Sequence, residues 1–168
     1  MKHLLTTLWA TLFATTLHAN QIMYVASITD KTIVSFELAQ DTGKLQQLHI
    51  TKLPISPGPL CFSPSGEYLY AAMSGKNDRG ITVNAIASLK VELEGRLELI
   101  AYAEIEVRTP YLRISPCGNF ALTAHYSTGE INVYQITDNV VTSTNLDHHK
   151  TERTAHCLEF DRSGKYAY

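Results

Sequence analysis

The sequence has no surplus of positive charge. Fourteen Lys and Arg stand against 16 Asp and Glu in 168 residues, a formal charge of −2. No basic field exists to gather nucleic acid. Cysteine is scarce, with three residues in all. Cys61, Cys117 and Cys157 show no CxxC spacing, so a zinc knuckle or a thioredoxin-like motif has no support. Their odd number leaves at least one thiol unpaired within the chain. Cys61 and Cys157 lie in apolar runs and read as buried thiols, whereas Cys117 falls in a turn and reads as exposed. There is no GxSxG nucleophile elbow. "SGKNDRG" (74–80) carries Lys and Gly but lacks the GxxxxGK[ST] order and a following helix, so it is no phosphate loop. "DHHKTERTAH" groups His148, His149 and His156 with Asp147. That spacing is not a zinc signature, and adjacent His point to opposite sides of a strand. No metal and no cofactor is expected.

Long apolar runs are also lacking, with one short exception. "MKHLLTTLWATLFATTLHAN" opens with Lys2, continues with an apolar run from Leu4 to Leu17, and reaches Ala19. Charged start, short apolar middle and small residue are the order of a secretory signal. The run falls short of the roughly 20 residues that span a bilayer. Residues 1–19 are therefore expected to be a signal peptide cleaved after Ala19. The mature chain, 20–168, is expected in the periplasm or outside the cell, with no membrane span.

What the sequence does have is a repeat. "PLCFSPSGEYLYAAM", "YLRISPCGNFALTAHY" and "CLEFDRSGKYAY" line up on the turn glycines Gly66, Gly118 and Gly164. Their spacings are 52 and 46 residues, a period suited to four-stranded propeller blades. Alternation in "TIVSFEL" and "INVYQI" reads as half-buried strand, and "DTGK" has turn chemistry. Outside the N-terminal segment no capped 3.6-residue periodicity occurs. The fold class is all-β, a propeller of four-stranded antiparallel blades.

With strands named A to D from the axis outward, the first unit (22–53) supplies B, C and D. The second (57–107) and third (109–150) are complete. A fourth (155–168) supplies A, about 155–161, and the opening of B. That makes about three blades, and a closed ring needs roughly four to eight. The chain reads as the N-terminal part of a longer protein, its C-terminal blades being its structural partner. Alone, 20–168 is expected to aggregate or to be molten.

The repeats resemble the lactonase-type seven-bladed propeller family, which includes bacterial 6-phosphogluconolactonase and the fungal 3-carboxymuconate cyclase. The pieces that carry the resemblance are "MYVASITDKTIVSFEL", "SPSGEYLYAA", "RTPYLRISPCGNFALTAHYSTGEINVYQI" and "TAHCLEFDRSGKYAY", which together cover nearly all of 21–168. The chain departs from the family pattern at His125, where Asn is frequent. It departs again at Arg153, Thr154, Ala155 and His156, where Pro-His-Ala-His is frequent. The second His of that motif is kept and the first is not. The resemblance implies seven blades and a small-molecule lactone substrate.

In a propeller the D–A and B–C loops meet at one mouth of the central channel, where a rigid scaffold presents function. Here these loops are 55–59, 108–111 and 153–156, with 27–31, 74–80 and 125–129. Lactone hydrolysis requires a base for water, a donor for the oxyanion and an acid for the leaving alkoxide. His156 is the candidate catalytic base, because imidazole exchanges protons near neutral pH. Arg108 and Arg153 are candidate substrate-binding residues for a carboxylate or phosphate. His125 and Tyr126 end a strand at the same mouth and are candidate substrate contacts. The expected activity is hydrolysis of a sugar lactone by the full-length protein, with the fragment alone inactive. Two alternatives stay open, a non-catalytic binding or scaffold propeller of the envelope and a cyclase-like lactonising enzyme.

Overall fold

A computed structural model describes residues 21–168. The expected signal peptide lies outside them. Three antiparallel sheets follow one another along the chain. The first has three strands, β1 (Gln21–Ser27), β2 (Thr32–Leu38) and β3 (Leu45–Lys52). The second runs β4 (Pro57–Phe62), β5 (Tyr68–Lys76), β6 (Thr82–Val91) and β7 (Leu97–Ile105). The third runs β8 (Tyr111–Ile114), β9 (Phe120–His125), β10 (Glu130–Thr137) and β11 (Val140–Lys150). Consecutive sheets pack face to face, β1 against β4, β4 against β8 and β7 against β11. The arrangement is that of propeller blades, with β4 and β8 as inner strands. After the third sheet the chain makes a short hairpin. Glu159 and Tyr168 exchange backbone hydrogen bonds, both 2.9 Å, and Phe160 bridges Ala167.

Strand alternation in the middle sheet explains how it serves two neighbours. Successive side chains of a strand point to opposite faces. Leu69, Ala71 and Met73 on β5, with Ala85, Ala87 and Leu89 on β6, pack with Ile33 and Leu53 of the first unit and with Ile55 of the loop that follows it. Tyr70, Ala72 and Ile86 face the other way, onto Leu112, Ile114, Ala121, Tyr134 and Ile136 of the third sheet. β7 contributes to both cores, Leu97 to the first and Ala103 and Ile105 to the second. These three odd-numbered residues would share one face of a regular strand. A register shift sets Ser88 opposite Ala101 and Leu89 opposite Leu99. One extra residue there, a β-bulge, switches the face.

Polar staples join the sheets. The Ser88 hydroxyl accepts from the Val141 amide at 3.0 Å, and the Tyr70 hydroxyl donates to the Asn139 carbonyl at 3.1 Å. The Lys31 ammonium donates to the Lys76 carbonyl at 3.1 Å. At the face opposite the mouth, the three repeat turns have their glycines at φ of +75, +79 and +68 for Gly66, Gly118 and Gly164. Glycine enters this left-handed region without the Cβ penalty that other residues meet.

Two expectations change. Cys157 is exposed and Cys61 half-buried, so neither is the buried thiol expected from its apolar surroundings. The segment after His156 has no complete sheet among the described residues to cover it, which leaves the Cys157 side open. The strand expected over about 155–161 is reduced to an isolated bridge between Phe160 and Ala167, and a short 3-10 turn, Leu93–Gly95, joins β6 to β7. Among the described residues no helix is long and apolar enough to cross a membrane.

Candidate functional site

The three loops that leave strands at one end of the third sheet build an open cleft of ≈ 500 Å3. Arg108 and Pro110 come from the segment between β7 and β8, Tyr126 and Ser127 from the β9–β10 loop, and His156 from the segment after β11. The topology explains the meeting. Antiparallel order brings the ends of β7 and β9 and the starts of β8 and β10 to the same edge. Arg108, Tyr126 and His156 are all exposed. The His156 and Tyr126 rings meet edge to face, with centroids 5.9 Å apart at 85°. Such edge contacts are a favoured aromatic geometry.

The turn that presents Tyr126 is closed by Gly129 at φ +68. Its amide donates to the His125 carbonyl at 2.9 Å, and the Thr151 amide donates back to the Gly129 carbonyl at 2.8 Å. A Cβ at Gly129 would lie 2.7 Å from the Glu152 carbonyl oxygen and 3.0 Å from the Arg153 Cα. The loop therefore approaches the backbone of the segment that leads to His156 as closely as a bare glycine permits. The Thr154 amide also donates to the Tyr126 carbonyl at 3.2 Å. Both links fix the His156 segment against the Tyr126 loop.

Of the five expected site residues, the cleft gathers three: Arg108, Tyr126 and His156. Arg153 is exposed but does not line the cleft. His125 is fully buried, at 0% exposure, and turns away from the cleft into the interior. The signal for this was present in "FALTAHY". Ala121, Thr123 and His125 share one strand face, and Ala121 is core. Pro110 and Ser127 line the cleft without having been singled out. Their only sequence signal was membership of the mouth loops.

Beneath the cleft lies a buried polar network. The His125 Nδ1 is 3.1 Å from the Arg108 carbonyl oxygen. A carbonyl can only accept, so Nδ1 carries the hydrogen and Nε2 of the neutral ring accepts. Nε2 is 2.8 Å from the Thr123 hydroxyl and 3.2 Å from the Asn132 amide nitrogen. Asn132 also donates to the Tyr134 hydroxyl at 3.3 Å. Burial lowers the His125 pKa from its ordinary value, opposed by the Arg108 carbonyl and the Glu130 carboxylate.

A second cluster lies along the inner strands. The Arg113 guanidinium forms a two-pronged ion pair with the Glu159 carboxylate, and the Tyr111 hydroxyl also donates to Glu159. Arg113 holds the Glu159 carboxyl below its usual range, and burial pushes the Tyr111 phenol up to about 12. This cluster ties the segment that follows His156 to β8. Among the described residues no cluster of His, Cys, Asp and Glu fits a metal ion.

The same architecture occurs in solved structures. A protein of Bacteroides fragilis assigned as a 6-phosphogluconolactonase superposes with a TM-score of 0.68 at 22% identity, over 82% of this chain and 38% of that one. The periplasmic gluconolactonase of Pseudomonas aeruginosa superposes at 0.69 with 18% identity, over 88% of this chain and 46% of that one. A gluconolactonase of Xanthomonas campestris gives 0.54 at 19% identity, over 81% and 40%. The chain thus spans less than half the length of each of these three. No curated protein sequence matches it. The model of the family described as lactonase, seven-bladed β-propeller, matches residues 22–168. Blade repeats, alternating cores and mouth loops agree with that match, and the chain belongs to this lactonase family.

Proposed function

We propose that the full-length protein hydrolyses a sugar lactone at the mouth formed by Arg108, Tyr126 and His156. One observation carries this reading. An arginine, a tyrosine and a histidine line one open cleft. Neither Arg108 nor His156 has a side-chain hydrogen bond or ion pair among the described residues. Charged groups without internal partners at a concave surface are free to serve a ligand.

In the proposed step His156 takes a proton from water as the oxygen attacks the lactone carbonyl carbon. The carbonyl π electrons move to oxygen, and Arg108 stabilises the resulting oxyanion or an anionic group of the substrate. Collapse re-forms the carbonyl and breaks the ring C–O bond. The proton returns to the departing alkoxide, giving a hydroxy acid. Tyr126 offers its ring as a face for the sugar. We also propose that the protein acts outside the cytoplasm, on the strength of the N-terminal segment 1–19.

A second reading is binding without turnover by an envelope propeller. It is favoured by the make-up of the cleft, where His156 is the one imidazole and no carboxyl stands among the described lining residues to act as its acid–base partner. Both readings are tested by assaying the full-length protein on 6-phosphogluconolactone and on glucono-δ-lactone. The lactonase reading expects turnover above spontaneous ring opening for at least one of them. Absence of any acceleration overturns it and leaves the binding reading.

A further inference from the structure

His125 has the chemistry of a site residue and the wrong location for one. It ends β9 directly before Tyr126, yet it is fully buried and does not line the cleft. Its Nδ1–H is spent on the backbone carbonyl of Arg108, 3.1 Å away and 17 residues back in the chain. The neighbouring residue repeats the link, with the Thr109 hydroxyl 2.8 Å from the Ala124 carbonyl oxygen. Two adjacent residues at the end of β9 thus hold two adjacent residues of the segment that enters β8. Arg108 has no side-chain partner among the described residues, so only its backbone determines where the guanidinium starts. It also borders two spaces, the ≈ 500 Å3 cleft and a cavity of ≈ 60 Å3 between the second and third sheets.

We propose that His125 is a positioning residue. It fixes the Arg108 backbone so that the guanidinium faces the cleft beside Tyr126 and His156, and it does not touch substrate itself. The far side of the ring explains why a histidine suits this task. Thr123 and Asn132 donate to Nε2, at 2.8 and 3.2 Å, which leaves Nδ1 as the protonated nitrogen aimed at Arg108. A ring held at both nitrogens has one orientation. For its effect on turnover the inference rests on the lactonase reading; for the geometry of Arg108 it does not.

Two substitutions separate positioning from a general structural role. The amide nitrogen of Asn stands where Nδ1 stands, whereas the longer Gln places its amide near Nε2. His125→Asn should keep the tie to Arg108, and His125→Gln should lose it while still filling the Nε2 side. In the full-length protein, kcat/KM for the lactone turned over is expected to fall roughly tenfold in His125→Gln, the upper end of the scale for one lost neutral hydrogen bond. His125→Asn is expected to stay within about threefold of the parent on the same scale. The double variant His125→Gln/Arg108→Ala should be no slower than Arg108→Ala, because both changes remove one function. Equal losses in Asn and Gln, additive losses in the double variant, or an Arg108→Ala variant as fast as the parent each overturn the proposal.

A readout without turnover keeps this separate from the lactonase reading. Phenylglyoxal modifies exposed guanidinium groups, and peptide mass spectrometry resolves the sites. The modification rate at Arg108 should change in His125→Gln and return in His125→Asn, while exposed Arg153, outside the cleft, should not respond. An unchanged rate at Arg108, or equal changes at both arginines, overturns the positioning role even if no lactone is turned over.

Discussion

At the scale of single residues, the third sheet shows how an inward face decides chemistry. His125 and Tyr126 are neighbours in sequence and opposites in environment, one fully buried and one 52% exposed. Burial depresses the His125 pKa, against about 6.5 in an unfolded chain. Below that pH the unfolded chain binds a proton that the folded state resists. This group's contribution to stability is therefore complete above about pH 6.5 and is lost as pH falls from there towards the depressed value. The Glu130 carboxylate, paired with Lys150, faces it and moderates the effect. Melting temperature is expected to drop between pH 7 and 5.5 in the full-length protein, and to drop less in His125→Asn, which cannot titrate. Equal slopes in thermal scans of the two proteins would refute this. A second residue-level test concerns Gly129, where an added Cβ meets the Glu152 carbonyl at 2.7 Å in a left-handed turn. Gly129→Ala should cost about 1–3 kcal/mol in urea unfolding. It should also displace the segment carrying His156.

At the scale of elements, the middle sheet is the keystone of the described region. Ile86 has no exposure and lies in the core shared with the third sheet. Ile86→Ala should destabilise by about 2–5 kcal/mol, read from the urea midpoint at constant slope. The β7 bulge carries its own lesson. "RLELIAYAEIEV" alternates well enough to read as strand, but alternation alone assigns Leu97 and Ile105 to one face. Only pairing with β6, shifted between Ser88 and Leu89, reveals that they face different cores. The repeat turns were legible because glycine at Gly66, Gly118 and Gly164 answers a local demand for positive φ. The mouth loops were legible for a related reason, since strand order fixes which loops share an edge. The contents of the cleft were legible only in part. Which way Arg153 and His125 point depends on packing from other sheets, and a single strand's sequence carries little of that.

At the scale of the whole molecule, three sheets form an arc with two dissimilar ends. Val25 and Ile50 are exposed on the first sheet, and Leu146, Tyr166 and Tyr168 near the other end. β1 is paired on one side only, with β2. An unpaired strand edge beside apolar side chains is a template for association. Polypeptide 20–168 by itself should bind a hydrophobic dye and sediment as a mixture of oligomers, and a sharp cooperative melt of a monomer would contradict this.

The family match and the convergence of Arg108, Tyr126 and His156 on one cleft lead to the same measurement. The rate of ring opening of 6-phosphogluconolactone and glucono-δ-lactone is followed with the full-length protein and with its His156→Ala variant. Enzymatic acceleration of at least one lactone is expected, with a loss of about a hundredfold or more in the variant, the scale of a removed acid–base group. A variant as active as the parent, or a parent no faster than buffer on both lactones, would contradict the proposed site.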